Sequence, residues 1–255
     1  MKKKKDVNME ADIFELNTTS FLPTDEYLHW YKNGRKKVLC VTDSRGYQQP
    51  DNKSILEIIV DASDGFIPLW DKGVTLNWRF NKSFGSFFKN PEAAKDGIRK
   101  LFGEAIANWG VACPVKFHED NDAWDFEITM HQENCNASGC VLASAFFPGP
   151  GQNIFYIYPT MFQQSLQEQL ETIEHEMGHA FGLRHFFAKI SETKWKSELF
   201  GTDTPFSIMN YGDKSKLMPT DITDLQRLYE LVWNGTLTEI NGTPVKKFVS
   251  YHMAV

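Results

Sequence analysis

The run His175-Glu176-Met177-Gly178-His179-Ala180-Phe181-Gly182-Leu183-Arg184-His185 constrains this chain more tightly than any other part of it. On a helix, His175 and His179 stand one turn apart on the same face, so their imidazoles can share a cation. Gly182 follows three residues later, where a helix can end in the left-handed conformation that glycine adopts cheaply. A chain that reverses there can bring His185 to the same ion. Neutral imidazole nitrogen suits Zn²⁺ at about 2.0–2.1 Å, and three protein ligands leave a fourth position open, the pattern of a catalytic zinc rather than a structural one. Glu176 adjoins the first ligand and is placed as a general base, able to take a proton from water and pass it to a leaving amine. Five fixed residues over eleven positions match by chance on the order of 10⁻⁷ per starting position at ordinary usage. The competing reading, an exposed helix whose histidines happen to align, is weakened by the third histidine and the intervening glycine.

The rest of the composition agrees with a folded enzyme-sized unit. In 255 residues, 42% are hydrophobic and 14% aromatic, enough for a substantial core. A net charge of -6 gives no electrostatic reason to expect nucleic acid or an anionic membrane. The basic runs Lys2–Lys5 and Arg35–Lys37 are short and read as solvated surface. No stretch reaches the ~18 apolar residues of a membrane span. The N-terminal lysines are not followed by an apolar run, so no signal peptide is legible. Four cysteines, Cys40, Cys113, Cys135 and Cys140, allow three full pairings, and sequence does not choose among them. Asn17, Asn52, Asn81, Asn136, Asn234 and Asn241 each open an N-x-S/T sequon, which matters only in a secretory chain.

Periodicity supplies an element order. Strands are expected at Ile55 to Val60, Val74 to Phe80, Val115 to His118, Phe126 to His131, Val141 to Phe147 and Ile154 to Tyr158. One helix opens at Asn90-Pro91, carries Ala94, Ile98, Leu101, Phe102, Ala105, Ile106 and Trp109 on one stripe, and stops at Gly110. A second runs from about Gln164 to Phe181 and bears the histidines. A last helix starts near Pro219-Thr220 and buries Ile222, Leu225, Leu228, Tyr229 and Val232. The order implies an α+β fold: a twisted mixed sheet with an active-site helix and a C-terminal helix. Residues 1–66 read as an N-terminal segment and 67–255 as the catalytic domain.

At these residues the chain resembles the metzincin clan of zinc metalloendopeptidases, whose HExxHxxGxxH motif is matched at every fixed position. Ser207-Ile208-Met209-Asn210-Tyr211 is similar to the clan's methionine-containing turn, which implies that Met209 floors the three histidines. Matrixins look closest over Trp70 to Phe80 and over Gly139 to Gly151. The likeness implies that Ala143, Ser144 and Ala145 lie on an edge strand that pairs with an extended polypeptide substrate. Gln152-Asn153-Ile154-Phe155-Tyr156 lacks the histidines and aspartates with which matrixins hold a second zinc, and His131 alone cannot replace them. One catalytic zinc and no structural second zinc are therefore expected, with the Cys135/Cys140 loop bracing the segment. Tyr211 is similar to the astacin and serralysin tyrosine that supports the oxyanion, and Gly212 to Met218 would wall the primed-side pocket.

The resemblance further implies a zinc-dependent endopeptidase, secreted, monomeric and present here as a zymogen. Cys40 is the candidate latency switch, since its thiolate could ligate the zinc. A disulfide to Cys113, a buried free thiol, and blocking by Asp43, Asp61 or Asp64 are the alternatives. Two other functions compete with the protease: a silent zinc-holding binding module, which the presence of Glu176 disfavours, and a hydrolase of non-peptide amides.

Overall fold

The computed structural model describes residues 13–17, 38–39, 58–62, 64–132, 135–136, 139–185, 197–201, 207–210 and 215–254. In chain order its strands are β1 (Val38–Leu39), β2 (Ile58–Asp61), β3 (Ile67–Trp70), β4 (Thr75–Phe80), β5 (Lys116–Glu119), β6 (Phe126–Met130), β7 (Cys135–Asn136), β8 (Gly139–Val141), β9 (Ala143–Ser144), β10 (Asn153–Ile157), β11 (Leu183–Arg184), β12 (Ser197–Phe200), β13 (Glu239–Ile240) and β14 (Thr243–Phe248). Among the described residues the α-helices are α1 (Pro91–Trp109), α2 (Leu166–Ala180), α3 (Pro219–Trp233) and a final turn, α4 (Tyr251–Ala254).

Five strands form the main sheet in the order β5-β4-β6-β10-β9. β4 runs parallel to β5 and β6, β6 runs parallel to β10, and only the edge strand β9 is antiparallel. A parallel pair needs a long crossover, and α1 supplies it between β4 and β5. Asn90 caps α1 through Ala93 N–H, Pro91 sets its first turn, and Gly110 ends it at φ 53°. Alternation along the strands turns Leu76 and Trp78, Phe126 and Ile128, and Phe155 and Ile157 inward. Phe102 of α1 closes on this layer, its ring 5.8 Å from Trp78 and 5.1 Å from Phe155. α2 packs on the same core through Ile173 and Met177. Its start is fixed by a capping box in which Ser165 and Glu168 exchange hydrogen bonds.

Three smaller sheets are also present among the described residues. β1 lies parallel to β8, and β7 pairs antiparallel to β8 with Cys135 opposite Cys140. β14 runs parallel to β3, so residues after α3 return to the strand that opens the catalytic unit. α4 is held by His252, whose backbone N–H and Nδ1 lie 2.8 and 2.7 Å from the buried Asp125 carboxylate. In the third sheet, β2 sits between β11 and β12. β2 falls within the stretch read as an N-terminal segment, yet Val60 and Ala62 are fully buried and Asp61 N–H donates to Gly182 C=O at 3.1 Å. The expected single strand from Val141 to Phe147 is instead two short strands split at Leu142, because β8 pairs with β1 and β7 while β9 pairs with β10. Cys113 is a free thiol that burial pushes up to about 11, which removes the Cys40–Cys113 pairing, and Cys140 is disulfide-bonded. Cys40 itself lies outside the described residues. Among the described residues, no helix is long and apolar enough to cross a membrane.

Because β2 completes the sheet beside Gly182, a chain starting at residue 67 should unfold more easily than one starting at residue 55. The loss of the Val60 contact and its strand bonds is about 3 kcal/mol or more. Denaturant titration measures it, and equal stabilities would contradict it.

Candidate metal centre

The last two turns of α2 carry His175 and His179, whose ring centroids lie 4.9 Å apart. After Ala180 the helix stops: Gly182 takes φ 95°, and a Cβ there would meet Pro68 C=O and Leu69 at 3.0 Å, so both conformation and space demand glycine. The reversal sends Leu183 and Arg184 into β11 and returns His185 to the helix, with ring centroids 5.2 Å from His175 and 4.9 Å from His179. The ligand atoms of all three lie within 4.8 Å of one another, and the side chains are 9%, 0% and 0% exposed.

The tautomers follow from the second ring nitrogens. His175 Nδ1 lies 2.7 Å from Ile208 C=O, and His179 Nδ1 lies 2.7 Å from Leu183 C=O. A carbonyl only accepts, so Nδ1 carries the proton in both rings and Nε2 presents a lone pair. His175 Nε2 then faces His185 Nε2 at 3.2 Å. Tetrahedral zinc with bonds of about 2.05 Å needs nitrogens roughly 3.3 Å apart, so the pair is spaced as a shared ion requires. Burial and the neighbouring His179 hold His175 down to about 3, and burial and His185 hold His179 well below its ordinary value. Both rings are therefore neutral ligands at pH 7. Zinc fits this donor set.

The turn containing Met209 sits beneath. A Cβ on Gly178 would fall on the Met209 sulfur, with Met209 Cε at 3.3 Å and the Trp109 ring at 3.6 Å, so a glycine in the motif lets the methionine reach the helix. Asp221, at the third position of α3, holds that turn. It accepts from Ser207 Oγ at 2.6 Å, Ile208 N–H at 3.2 Å and Met218 N–H at 2.9 Å. Burial raises the Asp221 carboxyl, and the Ser207, Met218 and Ile208 donors pull it back. One residue thus links Asp221 to the metal site: Ile208 gives its N–H to the carboxylate and its carbonyl to His175.

The carbonyls that end α2 are also capped. Trp70 Nε1 donates to Ala180 C=O at 2.7 Å, and the Tyr229 hydroxyl donates to Phe181 C=O at 2.9 Å. Burial pushes the Tyr229 phenol above its ordinary range, which keeps it a donor. Trp109 Nε1 reaches Glu174 C=O at 3.1 Å from the α1 side. None of Trp70, Trp109, Asp221 and Tyr229 was singled out from sequence as a support of the site. For Asp221 a local signal existed, an acid at the third position after Pro219, but its target lies thirteen residues upstream.

Glu176 is buried beside His175 at 2% exposure. Ala143 and Ser144 are buried in β9 and Ala145 is half-buried. The chain leaving β9 brings the Phe147 ring edge-on to His179 at 5.6 Å. Tyr211, like Cys40 and the first part of the Gly212 to Met218 loop, lies outside the described residues.

The profile of the matrixin peptidases, Peptidase M10, matches residues 70–230, which contain the three histidines, Glu176, Met209 and most of α3. The chain belongs to the matrixin family. Members of this family are zinc-dependent endopeptidases. The chain is 29% identical over 181 residues to human matrix metalloproteinase-25, covering 63% of this chain and 30% of the relative. It is 29% identical over 198 residues to the mouse protein of the same name, covering 70% and 29%. It thus spans under a third of the length of these relatives. The solved structure of myroilysin aligns with TM-score 0.41 at 15% identity, covering 67% of this chain and 98% of that one.

In this matrixin the histidine pocket gives a signed pH response when metal-free. Folded His175 and His179 refuse protons that the unfolded chain binds below about 6.5, so stability falls as pH drops from 6.5 toward 3, by up to ~1.4 kcal/mol per unit for each ring. Asp221 and Glu174, raised mainly by burial, bind protons earlier in the folded chain and offset part of the loss at the acid end. Denaturant unfolding of chelator-treated protein between pH 4.5 and 7.5 should show the decline, and a flat profile would contradict it.

Proposed function

We propose that this chain is a zinc-dependent endopeptidase acting on extended polypeptides, with Glu176 as general base. The observation that carries the reading is the convergence of three buried imidazoles beside a buried glutamate in a matrixin sequence. Bound zinc would activate water and polarise the scissile carbonyl. Glu176 takes the proton of the attacking water on its carboxylate and delivers it to the departing amine. Tyr211, two residues after Met209, donates its phenol proton as a hydrogen bond to the developing oxyanion. β9 is the outer strand of the main sheet, and the backbone of Ala143 to Ala145 pairs with substrate there.

The same reading includes latency and export. β1 lies along β8, two residues ahead of the substrate strand β9, and Cys40 directly follows β1. In the latent chain Cys40 closes the open position of the metal site with its thiolate. Cys113 is free and Cys140 is bonded, so this role requires a Cys135–Cys140 bridge, which their facing register favours. The six sequons and the disulfide suit an extracellular, monomeric enzyme with one catalytic zinc.

Glu176→Gln should lower turnover of an unstructured peptide by about 10² to 10⁴ while zinc content stays at the wild-type level. Retained activity would remove Glu176 from the mechanism. Cys40→Ala should raise the activity of the full chain, and a non-reducing peptide map should return the Cys135–Cys140 bridge. A Cys40–Cys140 bridge, or an unchanged rate, would overturn the cysteine as the switch.

A further inference from the structure

Residues 13–17, far upstream of the catalytic unit, are docked on it. Leu16 forms an antiparallel bridge to Phe88. Asn17 N–H donates to Phe87 C=O, and Lys89 N–H donates to Glu15 C=O, both at 2.9 Å. Asn17 Nδ2 adds a bond to Ser86 C=O at 2.5 Å. Phe14 is 6% exposed and rests against Phe162 with ring centroids 4.6 Å apart and against Phe88 at 6.2 Å, while Phe88 meets Phe162 edge-on at 5.1 Å.

A second, independent feature sits beneath Phe14. Gly97 lies in the middle of α1, where glycine costs about 1 kcal/mol relative to alanine. A Cβ at that position would stand 2.6 Å from Phe14 Cζ and 2.8 Å from Ile13 Cδ1. The helix therefore carries its glycine where Ile13 and Phe14 need the room, and the site has the form of a socket rather than a chance contact.

We propose that Phe88, Gly97 and Phe162 form a peptide-docking site whose ligand is the chain's own Ile13–Asn17, and that this contact by itself retains the N-terminal segment after the chain is cut downstream of it. The recognition is one aromatic anchor with two flanking backbone hydrogen bonds, a short β-augmentation. The exposed Lys89–Glu15 pair adds little. The contact stands whether or not the N-terminal segment restrains the active site. If it does, cleavage alone does not free the enzyme, and the plug must also leave its socket.

The test uses the full chain with a foreign protease site placed between residues 20 and 30, upstream of Cys40 and β1. After complete cutting, gel filtration with mass detection should find the N-terminal fragment with the catalytic fragment. Phe14→Ala should release it, with affinity about 100-fold weaker. Gly97→Leu should release it too, while helix content is kept, because leucine favours the helix that glycine weakens. In uncut Phe14→Ala chain, amide exchange at Asn17 and Lys89 should rise toward unfolded rates. Loss of the fragment from the wild-type cut chain, or equal retention and protection in Phe14→Ala, would overturn the proposal. Peptidase activity of the same samples separates the two ideas: full activity with the fragment still bound would sink the latency reading and leave the anchor standing.

Discussion

Three buried histidine rings converge at the end of α2, and His175 Nε2 lies 3.2 Å from His185 Nε2, close to the spacing of two nitrogens on one tetrahedral zinc. That convergence organises the centre of this protein. The Nδ1 protons of His175 and His179 are already committed to backbone carbonyls, so their Nε2 atoms have none to share, and burial opposes adding one. The arrangement is well suited as a ligand set. It persists because the surrounding fold over-determines it: a helix end capped by Trp70 and Tyr229, a glycine reversal locked against Leu69, and a turn clamped by Asp221.

These supports come from distant parts of the chain. Trp70 ends β3, which is paired by β14 near the C-terminus, and its carbonyl accepts from Trp233 of α3 at 3.0 Å. β2 seals the other side of the Gly182 reversal. Met209 reaches α2 because Gly178 leaves the space. The three nitrogens are therefore held by contacts spanning residues 58 to 248.

Much of this was legible in the sequence, for physical reasons. The histidine spacing, the reversal at Gly182 and the three long helices are local patterns, and α1, α2 and α3 fall close to where periodicity and caps put them. The α+β class with a twisted mixed sheet followed from the succession of alternating strands and helices. What was not legible depends on pairing across long separations. Ile67-Pro68-Leu69-Trp70 is buried on both faces and shows no alternation, and Thr243–Phe248 contains two lysines and a proline, so neither announces a strand. The break at Leu142 is set by which partners β8 and β9 find, not by the residues between them. Gly97 was a missed signal, since an internal helix glycine often marks a close approach.

The most direct test of the central claim is zinc K-edge absorption on the full chain, combined with metal analysis. One zinc per chain with three nitrogen ligands at about 2.0–2.1 Å, lost to a shell of two in His185→Ala, is the predicted result. A chain that folds and hydrolyses peptides with no zinc, or a zinc shell unaffected by His185→Ala, would contradict the account.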